Sequence, residues 1–115
     1  MSAHNNCLFC RIIKGEIPST KVFENDAVLA FRDINPAAPT HVLIIPKRHV
    51  DKIGDCGEGE RELIADVMLA ANKVAELEKL DSFRLIINNG SGAGQTVYHL
   101  HAHVLGGKPL GERLL

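Results

Sequence analysis

Three of the six histidines stand at alternate positions near the C-terminal end, at His99, His101 and His103. The residues around them are mostly apolar: Tyr98, Leu100, Ala102 and Val104. Alternation with a period of two is typical of a β-strand, so we expect all three imidazoles on one face, with neighbours about 7 Å apart. Histidine titrates near neutral pH and can act as base, nucleophile or metal ligand. The row therefore predicts a phosphate-handling site or a metal site, and the plainer alternative is a histidine-rich surface strand.

A loop rich in glycine, residues 88–94, comes directly before this strand, which we place within 95–107. Many such loops are only turns, but glycine lets the backbone approach a ligand closely, and successive N–H groups can cradle an anion. Gln95 and Thr96 add side-chain donors where the loop ends. Beside a row of imidazoles, the loop favours a phosphate site.

Cys7 and Cys10 form a Cys-x-x-Cys pair near the N-terminus. This spacing fits half of a zinc site, a redox pair, or simply two half-buried thiols. The sequence contains no second such pair, so histidines would have to complete a metal site. The total of three cysteines does not suggest a secreted disulfide framework.

Asp33, His41 and His49 are further polar residues at the ends of predicted strands. Asp33 could accept a hydrogen bond from a ribose hydroxyl, although an aspartate in this position more often caps a loop. Taken alone, His41 is interpreted as a core histidine with satisfied hydrogen bonds, and His49 as an exposed residue.

The remaining pattern predicts an α+β fold with about five strands in a mainly antiparallel sheet, one long helix and one short helix. The predicted strands besides the histidine strand are residues 21–24, 27–31, 41–46 and 83–88. A short helix begins near Cys7 and ends at Gly15. The long helix runs from Glu58 to about Lys79, with an apolar stripe that would cover one face of the sheet. No alternation of strands and helices indicates a parallel sheet.

Length and composition indicate a single domain over residues 1–115, with flexible tails at 1–6 and 108–115. Hydrophobic residues make up 45% and charged residues 23%, which is ordinary for a soluble globular protein. A net charge of −1 gives no electrostatic reason to expect nucleic-acid or membrane binding. The sequence has no apolar run of about 20 residues and no signal-like N-terminus, so we expect a cytoplasmic protein.

The run from Gln95 to Leu105 resembles the histidine-triad (HIT) family, whose motif is His-x-His-x-His-x-x with apolar x. Upstream segments at residues 7–18, 31–36 and 38–49 match as well, so residues 7–107 look like the nucleotide-binding Hint branch. The resemblance implies a HIT-like fold, a homodimer whose sheets join, and a site for a purine nucleoside monophosphate. It also implies hydrolysis of nucleoside phosphoramidates, the activity of a purine nucleoside phosphoramidase.

The resemblance also implies roles for individual residues. His101 would be the nucleophile, His103 and His99 its supporting imidazoles, and His41 a partner behind them. The base pocket would be lined by Phe9, Ile17, Phe31 and Ile34. Asp33 would bind ribose, and the phosphate side would be formed by Asn88, Gly94, Gln95 and Thr96 together with His101 and His103. Relatives with the cysteine pair can bind zinc, here through Cys7, Cys10, His49 and His99.

This chemistry needs two displacements at phosphorus. A neutral imidazole attacks and releases the amine, and water then frees the monophosphate from a nucleotidyl-histidine. The scheme requires no cofactor, and the zinc would be structural. Two alternatives stay open: hydrolysis of dinucleoside polyphosphates by the same nucleophile, and a nucleotide-sensing or protein-interaction module with incidental hydrolysis. The short tail, which lacks tryptophan, leaves the preferred leaving group undetermined.

Overall fold

Five strands and two α-helices follow one another along residues 6–113, the part of the chain that the computed structural model describes. The order is α1 (Leu8–Ile13), β1 (Lys21–Glu24), β2 (Val28–Arg32), β3 (Thr40–Pro46), α2 (Arg61–Leu77), β4 (Phe83–Ile86) and β5 (Ala102–Gly106). Single 3-10 turns lie at Ile53–Asp55, Glu58–Glu60 and Ser91–Ala93. The predicted α+β fold, with its five strands, long helix and short helix, is confirmed.

The strands form one antiparallel sheet in the order β1-β2-β3-β5-β4. β3 lies in the centre because its run from His41 to Pro46 is buried and can pair on both sides. Leu43 pairs with His103 of β5, and His41 pairs with Leu105. His41 and His103 are therefore diagonal neighbours on the same face of the sheet.

Each face of the sheet is covered by one helix. The α2 side contains Val67, Ala70, Ala71 and Val74 of the helix and Val42, Ile44, Ala102 and Val104 of the sheet. The α1 side contains Phe9, Ile12, Leu29, Phe31, Leu43 and Ile45. Because side chains alternate along β5, Ala102 and Val104 enter the α2 core while His103 faces the α1 side. The sheet thus seals a core on one face and presents imidazoles on the other.

The long helix is shorter than predicted at both ends. Its α-helical part begins at Arg61, because residues 58–60 form a tighter 3-10 turn in which Glu60 Oε1 accepts from the Gly57 N–H at 2.8 Å. Its last residue is Leu77, and Lys79 has a left-handed backbone with φ of 57°. The shift does not change which face of the helix is buried.

The histidine strand is also shorter than the predicted 95–107. β5 begins only at Ala102, because the Leu100 N–H donates to the Val50 carbonyl at 2.7 Å rather than joining the β-ladder. His99 and His101 therefore lie in the irregular segment before β5, in which His99 is part of a bend, and only His103 is a strand residue. His99, Leu100 and His101 are all buried.

The tails were predicted to be flexible, and their outermost parts, residues 1–5 and 114–115, lie outside the described residues. In the described part, residues 107–113 belong to no helix or strand, and the Arg84 guanidinium donates to the Gly111 carbonyl. None of the helices between residues 6 and 113 has the length and apolar character needed to cross a bilayer.

Candidate functional site

A cavity of about 760 Å³ opens on the α1 side of the sheet. Eight of the predicted site residues line it: Phe9, Ile17, Phe31, Asp33, Ile34, Thr96, His101 and His103. The volume lies within the range of small-molecule sites, roughly 300 to 1,000 Å³. His41 and His99 lie outside its wall, as do Asn88, Gly94 and Gln95. The structure therefore brings the predicted base and ribose residues together with two of the three triad histidines.

Aromatic rings form the inner wall of this cavity. Phe9 meets Phe31 edge to face with ring centres 5.5 Å apart, and it meets His101 in the same way at 5.1 Å. Edge-to-face contacts of this kind fix ring orientation. Ile34 instead stands at the rim and is 91% exposed, so it is available to cover a bound planar group.

His101 is held in one tautomer by the backbone. Its Nδ1 lies 2.8 Å from the carbonyl oxygen of His99, and because a carbonyl can only accept, Nδ1 carries the proton. Its Nε2 is then unprotonated. Burial lowers the pKa of His101 below the ordinary value of 6.5. The hydrogen bond to His99 raises this pKa, but by less than burial lowers it. At neutral pH the ring is therefore a neutral imidazole on the cavity wall, the form that a nucleophile needs.

His103 is held in the opposite tautomer by a chain of hydrogen bonds. The Ala37 N–H donates to His41 Nδ1 at 3.0 Å, so the His41 proton must sit on Nε2. That Nε2–H donates to His103 Nδ1 at 2.9 Å, which places the His103 proton on its own Nε2. This Nε2 is buried and has no hydrogen-bond partner among the described residues. A buried donor left in this way is unusual and points to a ligand acceptor.

The charge of His103 is as constrained as its tautomer. Burial, together with the neighbouring His101 and His41, lowers the pKa of His103 to about 4, although the Asp33 carboxylate acts in the opposite direction. The ring therefore stays neutral at pH 7 and acts as an N–H donor rather than as a cation.

Asp33 completes this side of the cavity. Its Oδ1 accepts from the Asn35 N–H at 2.7 Å, and its Oδ2 lies 3.5 Å from His41 Nε2. Asp33, His41 and His103 could together be mistaken for a metal site. Because His41 Nδ1 already accepts a hydrogen bond, a metal on Nε2 would require a doubly deprotonated ring. We therefore interpret these three residues as a hydrogen-bonded chain.

The glycine loop differs from the anion cradle that the sequence suggested. The N–H groups of Ala93 and Gln95 donate to the Gly90 carbonyl, and that of Gly94 donates to Ser91. The Gly90 N–H donates to Gln95 Oε1 at 2.8 Å. These four groups are used within the loop, so they do not form a ready anion nest.

Gln95 was expected to donate to phosphate, but its side chain is used elsewhere. It is 3% exposed, and its Nε2 donates to the carbonyls of Asp51 at 2.7 Å and Val97 at 3.0 Å. The amide thus ties the glycine loop to the segment that carries the histidines and to the loop after β3. Thr96 lines the cavity wall and is, with His101 and His103, one of the predicted phosphate residues found there.

Four predicted metal ligands converge behind the cavity and are called here the Cys/His cluster: Cys7, Cys10, His49 and His99. Their ligand atoms all lie within 4.8 Å of one another. The Nδ1 of His49 is 3.3 Å from Cys10 Sγ, and the Nδ1 of His99 is 3.4 Å from Cys7 Sγ. Both cysteines are free thiols.

The chemistry of this cluster fits a zinc ion. His49 Nε2–H donates to Asp51 Oδ1 at 2.6 Å and His99 Nε2–H donates to the Pro46 carbonyl at 2.7 Å. Each ring therefore presents an unprotonated Nδ1 to the thiols, with the outer hydrogen bond that metal-binding histidines usually make. Two sulfurs and two nitrogens are a set that tetrahedral zinc prefers. Burial raises the pKa of the Cys10 thiol to about 11, so metal binding would have to release its proton.

His99 was predicted both as a supporting imidazole of His101 and as a metal ligand. Its ring is fully buried and faces the Cys/His cluster rather than the cavity. Asp51 and the backbone N–H of Ala37 were missed. Only the position of Asp51, two residues after His49, could have suggested its contact.

A second depression of about 500 Å³ lies near the start of α2, and no histidine lines it. Its basic side chains are paired with acidic ones: Arg48 with Glu60 and Arg61 with Glu58. It contains none of the predicted site residues.

The chain is similar to proteins of one known family. The family model described as HIT domain matches residues 14–110. A purine nucleoside phosphoramidase of Escherichia coli strain K12 is 45% identical over 109 residues, which cover 93% of this chain and 92% of the relative.

Two solved structures are similar over nearly the whole chain. A HIT family hydrolase from Clostridium thermocellum has 50% identity and a TM-score of 0.94, covering 96% of this chain and 98% of its own. A histidine triad protein from Clostridium difficile has 46% identity and a TM-score of 0.92, covering 98% and 99%.

Proposed function

Because this chain belongs to the HIT domain family, we propose that it is a purine nucleotide-binding hydrolase that cleaves nucleoside 5′-phosphoramidates at the P–N bond. The observation that carries the proposal is the pairing of two imidazoles on one cavity wall. His101 offers an unprotonated Nε2 and His103 offers an Nε2–H. A nucleophile beside a neutral donor is what attack on a phosphoryl group requires. The 45% identity to a relative named purine nucleoside phosphoramidase supports the choice of substrate class.

In the first step, His101 Nε2 would attack phosphorus while the P–N bond breaks, giving a nucleotidyl-histidine and a free amine. The developing positive charge on the ring is stabilised because Nδ1–H already donates to the His99 carbonyl. The His103 Nε2–H would donate to a phosphoryl oxygen and gain its missing partner. The substrate nitrogen would take up a proton from solvent as the P–N bond breaks and leave as a neutral amine, and the water of the second step would return that proton to solvent.

In the second step, water would attack the same phosphorus and break the bond to His101 Nε2. One water is consumed in total, and a nucleoside monophosphate and an amine are released. The unprotonated Nε2 is restored, and its tautomer is again set by the His99 carbonyl.

The cavity suits a purine nucleoside monophosphate. Phe9, Ile17, Phe31 and Ile34 would enclose the base, and the Asp33 carboxylate would accept from ribose hydroxyls. Thr96 would join His101 and His103 at the phosphate. The phosphate contacts of Asn88 and Gly94 stay predictions, and Gln95 would act by holding the loop rather than by touching phosphate.

A zinc ion in the Cys/His cluster would have a structural role. With four protein ligands the site leaves no open position for substrate, so catalysis does not use it. When bound, the ion would tie α1, the loop after β3 and the histidine segment together.

We also propose a homodimer in which the sheets of two copies join through β4. This strand stands at the sheet edge, pairs with β5 alone among the described strands, and has four half-buried side chains. An unprotected edge tends to pair with another chain. Light scattering at micromolar concentration should give about twice the chain mass of 12.5 kDa, and a clean monomer would oppose the proposal.

The test of function is a side-by-side turnover assay on protein of measured zinc content. We expect adenosine 5′-phosphoramidate to be hydrolysed much faster than a dinucleoside polyphosphate. Faster cleavage of the polyphosphate would instead favour that hydrolase class. Binding of AMP without turnover of either substrate over hours would favour a sensing or interaction module.

A further inference from the structure

We propose that His99 is a positioning residue through which metal occupancy of the Cys/His cluster controls the placement of the nucleophile His101. The inference rests on the proposed function for its rate measurement only. It concerns the link between the cluster and the cavity, which lie on opposite sides of the same short segment of chain.

The first link is His99 itself. Its ring Nδ1 lies 3.4 Å from Cys7 Sγ and 3.5 Å from Cys10 Sγ, so the ring belongs to the cluster. Its backbone carbonyl accepts from His101 Nδ1 at 2.8 Å, so its main chain belongs to the active site. The residue is fully buried, and its Nε2–H is fixed to Pro46 at 2.7 Å. A shift of the ring must therefore be passed to the carbonyl that orients the nucleophile.

The second link is Phe9, which lies between the two cysteines in sequence. Its ring centre is 5.1 Å from that of His101 and 5.5 Å from that of Phe31. The Cys10 N–H also donates to Cys7 Sγ at 3.3 Å, so the cysteines and Phe9 share one tight turn. Fixing both sulfurs would therefore also fix the ring that packs against the nucleophile.

Without metal, the cluster is held by weak hydrogen bonds between thiols and imidazole nitrogens. With metal, four coordinate bonds would replace them. Looser packing would let the His99 carbonyl move away from His101, whose proton could then shift to Nε2 and block attack. Because a displacement of about 1 Å can cost roughly a hundredfold in rate, we expect metal loss to lower kcat by about tenfold or more. Binding of AMP should change less than kcat, because Ile17, Phe31 and Ile34 of the cavity wall lie outside the cluster.

The experiment compares wild type with the Cys7→Ser/Cys10→Ser double variant, and uses Cys56→Ser as the matched thiol control. Cys56 is a half-buried free thiol outside the cluster. For each protein, zinc content, kcat, AMP affinity and the ¹⁵N spectrum of the His101 ring are measured. We expect wild type and Cys56→Ser to hold one zinc and one His101 tautomer, with the proton on Nδ1. The double variant should lose zinc, show mixed tautomers and turn over slowly.

Two further measurements keep the test decisive if the double variant folds poorly. Zinc is removed from wild type with a chelator, which should lower kcat and give mixed His101 tautomers. Restoring zinc should recover both kcat and the single tautomer. Val74→Ala, in the α2 core on the other face of the sheet, supplies a destabilised protein with an intact cluster and should keep its kcat.

Three results would overturn the inference. One is full kcat and an unchanged His101 tautomer in metal-free protein. Another is an equal loss of kcat in Val74→Ala, which would assign the effect to general loosening. The last is a wild type that binds no zinc at micromolar concentration. If no form cleaves a phosphoramidate, the proposed function fails, while the tautomer measurement still decides this inference.

Discussion

Replacing His101 by Asn tests whether any other group in the cavity can act as the nucleophile. None of the remaining imidazoles in the described residues turns an unprotonated nitrogen toward the cavity. His103 Nδ1 accepts from His41, and its Nε2 carries a proton. The Nδ1 atoms of His99 and His49 face the cysteines, behind the cavity. No replacement nucleophile is therefore available, and the covalent route should close.

The expected size of the loss follows from this arrangement. Removing a catalytic nucleophile from a working unit can cost on the order of 10⁶ in kcat. We expect at least about 10⁴-fold here, which corresponds to about 5.4 kcal/mol in activation free energy. The Asn amide can still donate to the His99 carbonyl, and the pocket wall remains. AMP affinity should therefore change by less than about threefold, or roughly 0.65 kcal/mol.

The assay combines steady-state turnover of adenosine 5′-phosphoramidate, AMP binding and intact mass of protein quenched during turnover. Wild type should gain an acid-sensitive mass equal to one nucleotidyl group, on the peptide that contains His101. Tyr98→Phe serves as the control, because Tyr98 is exposed and does not line the cavity. An Asn variant within tenfold of wild type, or a label on His99 or His103, would refute the reasoning.

The remaining predictions concern the donor, the acid response and the metal. His103→Ala removes one donor to the phosphoryl oxygen, so kcat should fall about 10²–10³-fold; an unchanged kcat would exclude His103 as that donor. Because the pKa of His103 is lowered to about 4, the unfolded chain binds more protons between pH 6.5 and 4. Chemical unfolding should therefore show that the free energy of unfolding falls as pH is lowered from 6.5 to 4, and that it falls less steeply in His103→Gln. Equal pH slopes in the two proteins would contradict the assignment. Cys10→Ala should lose zinc in metal analysis. With zinc at 100 times its Kd, loss of the metal should lower the free energy of unfolding by about 2.7 kcal/mol, which lowers Tm by about 11 °C for a chain of 115 residues. Zinc retained after both cysteines are removed would rule this site out.

Much of the site could be predicted because it depends on residue type and spacing. The alternate spacing of the histidines predicted that they share a side of the sheet, and the structure brings His101 and His103 together with ring centres 5.0 Å apart. The Cys-x-x-Cys pair needed histidines to complete a metal site, and His49 and His99 lie beside it. These features follow from local periodicity and from the small set of residues that can bind a metal.

The parts that could not be predicted depend on contacts between distant backbone groups. Gln95 donates to the carbonyl of Asp51, 44 residues away in sequence, so its type alone suggested a phosphate donor. The early end of β5 likewise depends on Leu100 bonding to Val50. Backbone groups carry no sequence signal, so their partners become known only when the fold is known.

The same dependence explains how one residue type takes three roles in this molecule. A histidine whose ring N–H donates to a carbonyl keeps its other nitrogen unprotonated, as His101 does toward the cavity and His99 toward the thiols. His41 accepts from the Ala37 N–H instead, and the proton is then passed outward through the chain to His103 Nε2. The proposed donor thus differs from the proposed nucleophile and ligand because its imidazole chain begins at an amide N–H rather than at a carbonyl. The proposed nucleophile and ligand differ in whether the unprotonated nitrogen faces the cavity or the thiols. The chemistry of the triad is set by the carbonyl and amide positions of the fold as much as by the histidines.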